Sequence, residues 1–172
     1  PCDPTEMEKA VFAAAEIDGP VYIRVARPVC EDITTEDTPF IPGKANILKD
    51  GNDVCIITMG LMVPIALKAA EMLEAEGISA AVVNMHTVKP IDAETILAMN
   101  EKCKGIVTAE EHSVIGGLGS AVAEVLAGHA GAKFERVGIQ DKFGKSGKPD
   151  ELFAAYGLTA ENIVEKCKAT LA

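Results

Sequence analysis

"GIVTAEEHSVIGGLGSAVAEVLAG", residues 105–128, decides the fold. A mostly apolar run over 105–109 ends in Glu110, Glu111 and His112. Three glycines follow at 116, 117 and 119, and residues 118–128 then carry apolar side chains at helical spacing. A strand that turns into a helix reads this way. The same alternation extends in both directions. "DVCIITMG" (53–60) is an apolar strand ending in glycine. Residues 62–75 follow with Met62, Ala66, Ala69 and Leu73 on one helical face and Lys68 and Glu71 on the other. "ISAAVVNM" (78–85) is the next strand, a short helix covers 93–100, and "FERVGI" (134–139) is a fourth strand. Near-continuous apolar strands separated by helices predict an α/β three-layer sandwich. It has a mostly parallel sheet, helices on both faces and right-handed crossovers.

The end of the chain is helical. "ELFAAYG" leads to a helix begun at Thr159, with Leu158 and Ile163 bracketing the cap and Ile163, Cys167 and Leu171 forming the buried stripe. Ahead of the alternating region, Asp3 caps a first helix, Pro4 suits its first turn, and Glu6 reaches back in capping-box fashion. Met7, Val11 and Ala14 share its expected buried face, and Gly19 ends it. "PVYIRVA" (20–26) reads as a buried strand bounded by Pro20 and Pro28. Residues 29–44 are rich in acids and prolines without a period, a linker lying extended over a surface. The chain therefore divides at 1–28, 29–44 and 45–172.

Composition removes several function classes. With 16 Lys and Arg against 26 Asp and Glu, the net charge of -10 repels nucleic-acid backbones and anionic lipid, so neither is an expected partner. No apolar stretch is long enough to span a bilayer. Five cysteines at 2, 30, 55, 103 and 167 form no CxxC pair and gather no histidines, which fits no metal, no disulfide framework and a reducing cytoplasm. The first residue is proline rather than methionine, so the chain is expected to be part of a longer protein.

Each chemistry-bearing motif has two readings. Gly117 and Gly119 are spaced like the start of a dinucleotide fingerprint. Position 122 is Val, however, and five residues separate Glu111 from Gly117, so tight turning and close helix packing account for them better. Glu110, Glu111 and His112 stand where parallel sheets place ligands, but adjacent strand residues point to opposite faces and do not meet on one substrate. In "HTVKPID" (86–92), Asp92 is a helix cap, and His86 and Lys89 could meet an anion, a partner chain or solvent. Arg24 and Arg27, ending "RVAR", need a carboxylate from the linker or a phosphate. "FGKSGKP" (143–149) is a solvated lysine loop.

Taken in order, "GPVYIRVARP", "DVCIITMG", "HTVKPID", "EEHSVIGGLGSAVAE", "DKFGKSGKPDEL" and "YGLT" resemble the C-terminal end of transketolases along essentially all 172 residues. The likeness is strongest to the form split over two polypeptides. It implies that 1–28 is the last helix and strand of the pyrimidine-binding domain and 45–172 the C-terminal domain. It also implies that the complete enzyme uses thiamine diphosphate and magnesium to move a two-carbon ketol unit between sugar phosphates. The resemblance places no catalytic, cofactor or metal ligand on this chain. It makes Arg27 the arginine that holds the substrate's terminal phosphate, and it sets Glu110 and His112 near an interface or the site. The implied partners are the upstream transketolase domains or an N-terminal subunit, in a homodimer or heterotetramer. 1-Deoxyxylulose-5-phosphate synthase and the 2-oxoacid dehydrogenase beta subunit share related signatures and are the alternatives. A free-standing nucleotide-binding or interaction module using Gly117 and Gly119 is an alternative of another class.

Overall fold

The computed structural model describes all residues from Pro1 to Ala172. In chain order the elements are α1 (Pro4–Ala15), β1 (Asn46–Lys49), β2 (Val54–Thr58), α2 (Met62–Ala75), β3 (Ala80–Asn84), α3 (Ala93–Lys102), β4 (Gly105–Ser113), α4 (Leu118–Leu126), β5 (Lys133–Ile139), α5 (Pro149–Ala155) and α6 (Ala160–Leu171). One five-stranded sheet runs in the order β1-β3-β2-β4-β5. It is parallel at β2–β3, β2–β4 and β4–β5, and antiparallel only where β1 joins β3. The expected mostly parallel three-layer α/β sandwich is the fold found.

Alternation along β2 explains the two cores. Val54 and Ile56 point to the layer holding α2 and α6, with Met62, Ala66, Leu73, Ile163 and Cys167. Cys55 and Ile57 point to the layer holding α3 and α4, with Ile96, Met99, Leu118 and Val122. Every residue of β2 and β3 is buried, which is why those strands lack the alternating polar positions of a one-sided sheet. Glycine permits the closest approach. A Cβ on Gly51, just ahead of β2, would lie 2.3 Å from the backbone of Ala80 and Ala81 at the start of β3.

The helices 62–75, 93–100 and 118–128, the Thr159 cap and the Asp92 cap all fall where the sequence puts them. Four expectations need correction. Residues 20–26 form no strand: Val21, Tyr22 and Val25 are exposed, and the segment pairs with neither edge of the sheet, so its backbone lacks the neighbour a ladder requires. The face of α1 that turns inward carries Glu6 and Ala10 rather than Met7, Val11 and Ala14, because the helix meets the sheet through its first turns only. Glu6 does not close a capping box; its Oε2 accepts from the Cys2 amide at 2.7 Å instead. Finally, β1 went unread as a strand, being a four-residue edge with a mixed pattern and a shift in register between Ile47 and Lys49.

The connector over 29–44 has no regular structure, yet it is tied down. Lys9 Nζ donates to the carbonyls of Thr35, Glu36 and Thr38 at 2.7–2.8 Å, and Thr34 is buried. All five cysteines are free thiols. Burial pushes those of Cys2, Cys55 and Cys103 up and that of Cys167 to about 12.

Replacing Gly51 by alanine forces a side chain into the β3 backbone. The expected loss is about 1–3 kcal/mol of stability, read as a lower urea midpoint at unchanged slope. An unchanged midpoint would show that β2 and β3 can separate at that point.

Candidate functional site at the carboxyl edge of the sheet

α2 carries the chain from β2 to β3 across one face, and α4 carries it from β4 to β5 across the other. Neighbouring strands β2 and β4 therefore send their connections in opposite directions, and their carboxyl ends mark the place where such sheets open a ligand crevice. In this chain that rim is polar and largely self-occupied. Thr58 Oγ1 donates to the Ala109 carbonyl at 2.8 Å, joining the end of β2 to β4. Asn84, wholly buried at the end of β3, donates through Nδ2 to Glu6 Oε1 at 2.7 Å, so the first turn of α1 is fastened to the rim.

Glu110 is the best-satisfied group there. Only 2% exposed, its carboxylate accepts from the Leu118 amide at 2.7 Å and the Gly119 amide at 2.8 Å. It thus caps α4, whose positive amide end favours a negative charge. Gly117 serves that contact, and Gly119 a neighbouring one. A Cβ on Gly117 would lie 2.0 Å from Glu110 Oε2, and one on Gly119 would lie 2.8 Å from Arg136 Cδ and from Thr108 Oγ1. The two amides that a phosphate would use at this helix start are those taken by Glu110. Glu111 points the other way, half-exposed, and His112 is exposed, with its Nδ1 2.8 Å from the Ser113 carbonyl and 3.9 Å from Glu110 Oε2. A carbonyl can only accept, so Nδ1 carries the proton in that contact.

A second polar group sits where the connector meets the domain. His86 is 7% exposed, stacks on Phe40 with ring centroids 4.2 Å apart, and holds Thr87 Oγ1 at 2.9 Å from Nδ1. Burial lowers its pKa against the upward pull of Glu6 and Asp92, so at neutral pH it offers no charge to an anion. Lys89 is exposed. Asp92 caps α3 through Thr95 and also accepts from the Ala45 amide at 2.9 Å, which fixes the end of the connector. Asp3 does the same at its other end. One carboxylate takes the Glu6 amide at 2.7 Å, the Ile33 amide at 2.8 Å, the Thr34 hydroxyl at 2.9 Å and the Thr34 amide. Burial works against ionisation of Asp3, but these donors win and hold its carboxyl below the usual range.

The arginines separate. Arg24 pairs with Glu111, Nη2 to Oε1 at 3.6 Å, and donates to the Glu111 carbonyl at 3.3 Å; no linker acid is involved. Arg27 is exposed and has no hydrogen bond or ion pair within the chain. Just beyond it, residues 28–31 wall a cavity of about 370 Å³ against the starts of α2, α5 and α6. Sequence reasoning missed the Asp3 tether and the Asn84–Glu6 bond. An amide ending an apolar strand was the available signal for the second, whereas nothing local marks the first.

Comparison with known proteins settles the kinship. The family model described as "Transketolase, C-terminal domain" matches residues 43–163. The chain belongs to that transketolase family. A transketolase subunit acting on 6-deoxy-6-sulfo-D-fructose, from Clostridium sp. strain MSTE9, is 46% identical over 95% of this chain and 51% of its own length. A putative transketolase C-terminal section from Methanocaldococcus jannaschii is 47% identical over 96% of this chain and 52% of its own. The solved structure of a split-gene transketolase, described as an inactive beta4 tetramer, superposes with a TM-score of 0.95 at 47% identity, covering 99% of this chain and 56% of that one. 1-Deoxy-D-xylulose-5-phosphate synthases are relatives as well, at 36–40% identity. The chain thus spans about half the length of the transketolase relatives it matches. The family is one of thiamine diphosphate-dependent enzymes, and the α4 start of this chain does not fit that group's diphosphate. The amides at the α4 start are occupied by Glu110, and no three His, Cys, Asp or Glu side chains converge to hold a metal ion.

Two outcomes follow for this chain. Glu110→Ala strands two buried amides and is expected to cost about 1–3 kcal/mol, read by thermal unfolding. For Asp3, the folded pKa lies below the ordinary value near 4. Its contribution is therefore complete above about pH 4 and fades as pH falls through the folded value. The stability gap between wild type and Asp3→Asn should accordingly be wider at pH 6 than at pH 3. A gap independent of pH would remove the carboxylate from the account.

Proposed function

We propose that this chain completes a thiamine diphosphate-dependent transketolase, an enzyme of pentose phosphate chemistry in the cytoplasm that moves two-carbon ketol units between sugar phosphates. Its cofactor and metal are held by segments outside these 172 residues. The observation that carries the reading is the mismatch between kinship and chemistry: similarity runs the full length of the chain, while the carboxyl rim is spent on the chain's own helices. The exposed apolar residues of 21–29 and of α1 support it, with Tyr22 at 88%, Phe12 at 68% and Val29 fully exposed. They suit residues 1–28 as a piece of the pyrimidine-binding domain, with 29–44 as the linker and 45–172 as the C-terminal domain. The partners are the upstream domains or an N-terminal subunit, in a homodimer or heterotetramer.

In this reading Arg27 anchors the terminal phosphate of the sugar. A guanidinium without an internal carboxylate retains its planar fork for a bidentate phosphate contact. Arg24, already engaged by Glu111, positions the segment. Glu110 and His112 lie by an interface, with His112 near the end of β4 and Ile115 in the loop that follows both exposed.

The chain alone should give no ketol transfer, and activity should appear when the upstream half is supplied. Transfer by the chain alone would defeat the proposal. In the assembled enzyme, Arg27→Ala should raise KM for a phosphorylated acceptor about 10- to 100-fold and leave kcat close to wild type. An unphosphorylated acceptor should be unaffected. Equal losses for both acceptors would take Arg27 away from the phosphate.

A further inference from the structure

β5 is one edge of the sheet, and a groove of about 650 Å³ follows it between α4 and α6. Among its walls are Arg136, Gln140, Tyr156, Asn162 and Lys166. Lys166 is neutralised by Glu135 at 2.9 Å. Arg136 is not neutralised: it spends one guanidinium nitrogen on the Val114 carbonyl at 2.9 Å and has no carboxylate partner. Half-buried, it leaves the groove with an uncompensated positive charge.

The strand and loop that follow add to it. Residues 133–148 hold five basic and two acidic side chains, a positive stretch inside a chain of net charge -10. Lys142, Lys145 and Lys148 are exposed and take part in no ion pair. The loop that carries them is fixed beside the groove, because Tyr156, on the groove wall, donates its hydroxyl to the Phe143 carbonyl at 3.0 Å. Gln140 and Asn162 line the same wall, their amide nitrogens donating to the Gly138 and Gly157 carbonyls.

We propose that this groove and the 142–148 loop form a binding site for a small phosphate-bearing molecule, with Arg136 as its anchor and the loop lysines closing the charge. A cation held at a fixed place by a backbone carbonyl, with flexible ammonium groups beside it, is the arrangement that takes a multiply charged oxyanion. The site uses residues other than Arg27 and does not rest on the transketolase reading.

Hydrogen–deuterium exchange by mass spectrometry on the full-length protein containing this chain tests it. The probes are inorganic phosphate and glycerol 3-phosphate, against chloride at equal ionic strength. Either phosphate should slow exchange in peptides covering 133–148 and 156–166. Tighter protection by glycerol 3-phosphate identifies an ester as the ligand, and equal protection identifies free phosphate. Arg136→Gln should abolish the effect. Lys145→Gln with Lys148→Gln, on an exposed loop that carries no packing, should weaken it at least threefold. Protection equal to that in chloride, protection unchanged in the lysine variant, or protection that follows protein concentration and not phosphate would overturn the site. The last outcome would mark the loop as a protein contact.

Discussion

The central strands are buried on both faces, and that constraint orders everything else. A strand covered on both sides can carry polar groups only where it ends, and each such group must then find a partner. This chain puts most of them at one level across the sheet, Thr108, one residue earlier in β4, being the exception with a buried, unpartnered hydroxyl. Asn84 and Thr58 end β3 and β2 in register with Ala109 of β4, where the pairing with β2 stops, and Glu110 is one residue beyond. Asn84 takes hold of α1 through Glu6, Thr58 binds β4, and Glu110 caps α4. The polar rim is the set of fasteners that positions the elements outside the sheet.

Two aspartates extend that logic to the connector. Asp3 and Asp92 each combine a helix cap with a bond to backbone at one end of the 29–44 segment. A stretch without secondary structure of its own thereby acquires a fixed course, and Phe40 is delivered onto the His86 ring. The first helix and the connector are then held by a few charged hydrogen bonds, while the domain behind them is held by two apolar layers.

The sheet was legible because its information is local. Apolar runs such as "DVCIITMG" and the Met62–Leu73 stripe announce themselves within a dozen residues, and the Asp92 and Thr159 caps need only three. What escaped depends on distance. β1 is a strand by virtue of β3. "PVYIRVA" has the composition of a strand but no neighbour along either sheet edge, so composition alone misled. The inward face of α1 reads wrongly for a related reason: burying Glu6 makes sense only once Asn84, 78 residues away, is known to meet it. At the candidate site, opposite orientations for Glu110 and Glu111 could be deduced from strand geometry. That Glu110 would occupy the α4 amides could not, since the intervening loop had no readable shape.

The placement of sulfur has a further consequence. Four of the five thiols are enclosed and held in their protonated, unreactive form, and Cys30, on the connector, is the one at the boundary with solvent. Oxidants and alkylating reagents therefore meet a single reporter position. It lies on the connector, outside both apolar layers, where an attached dye or spin label would report on that segment without entering either core.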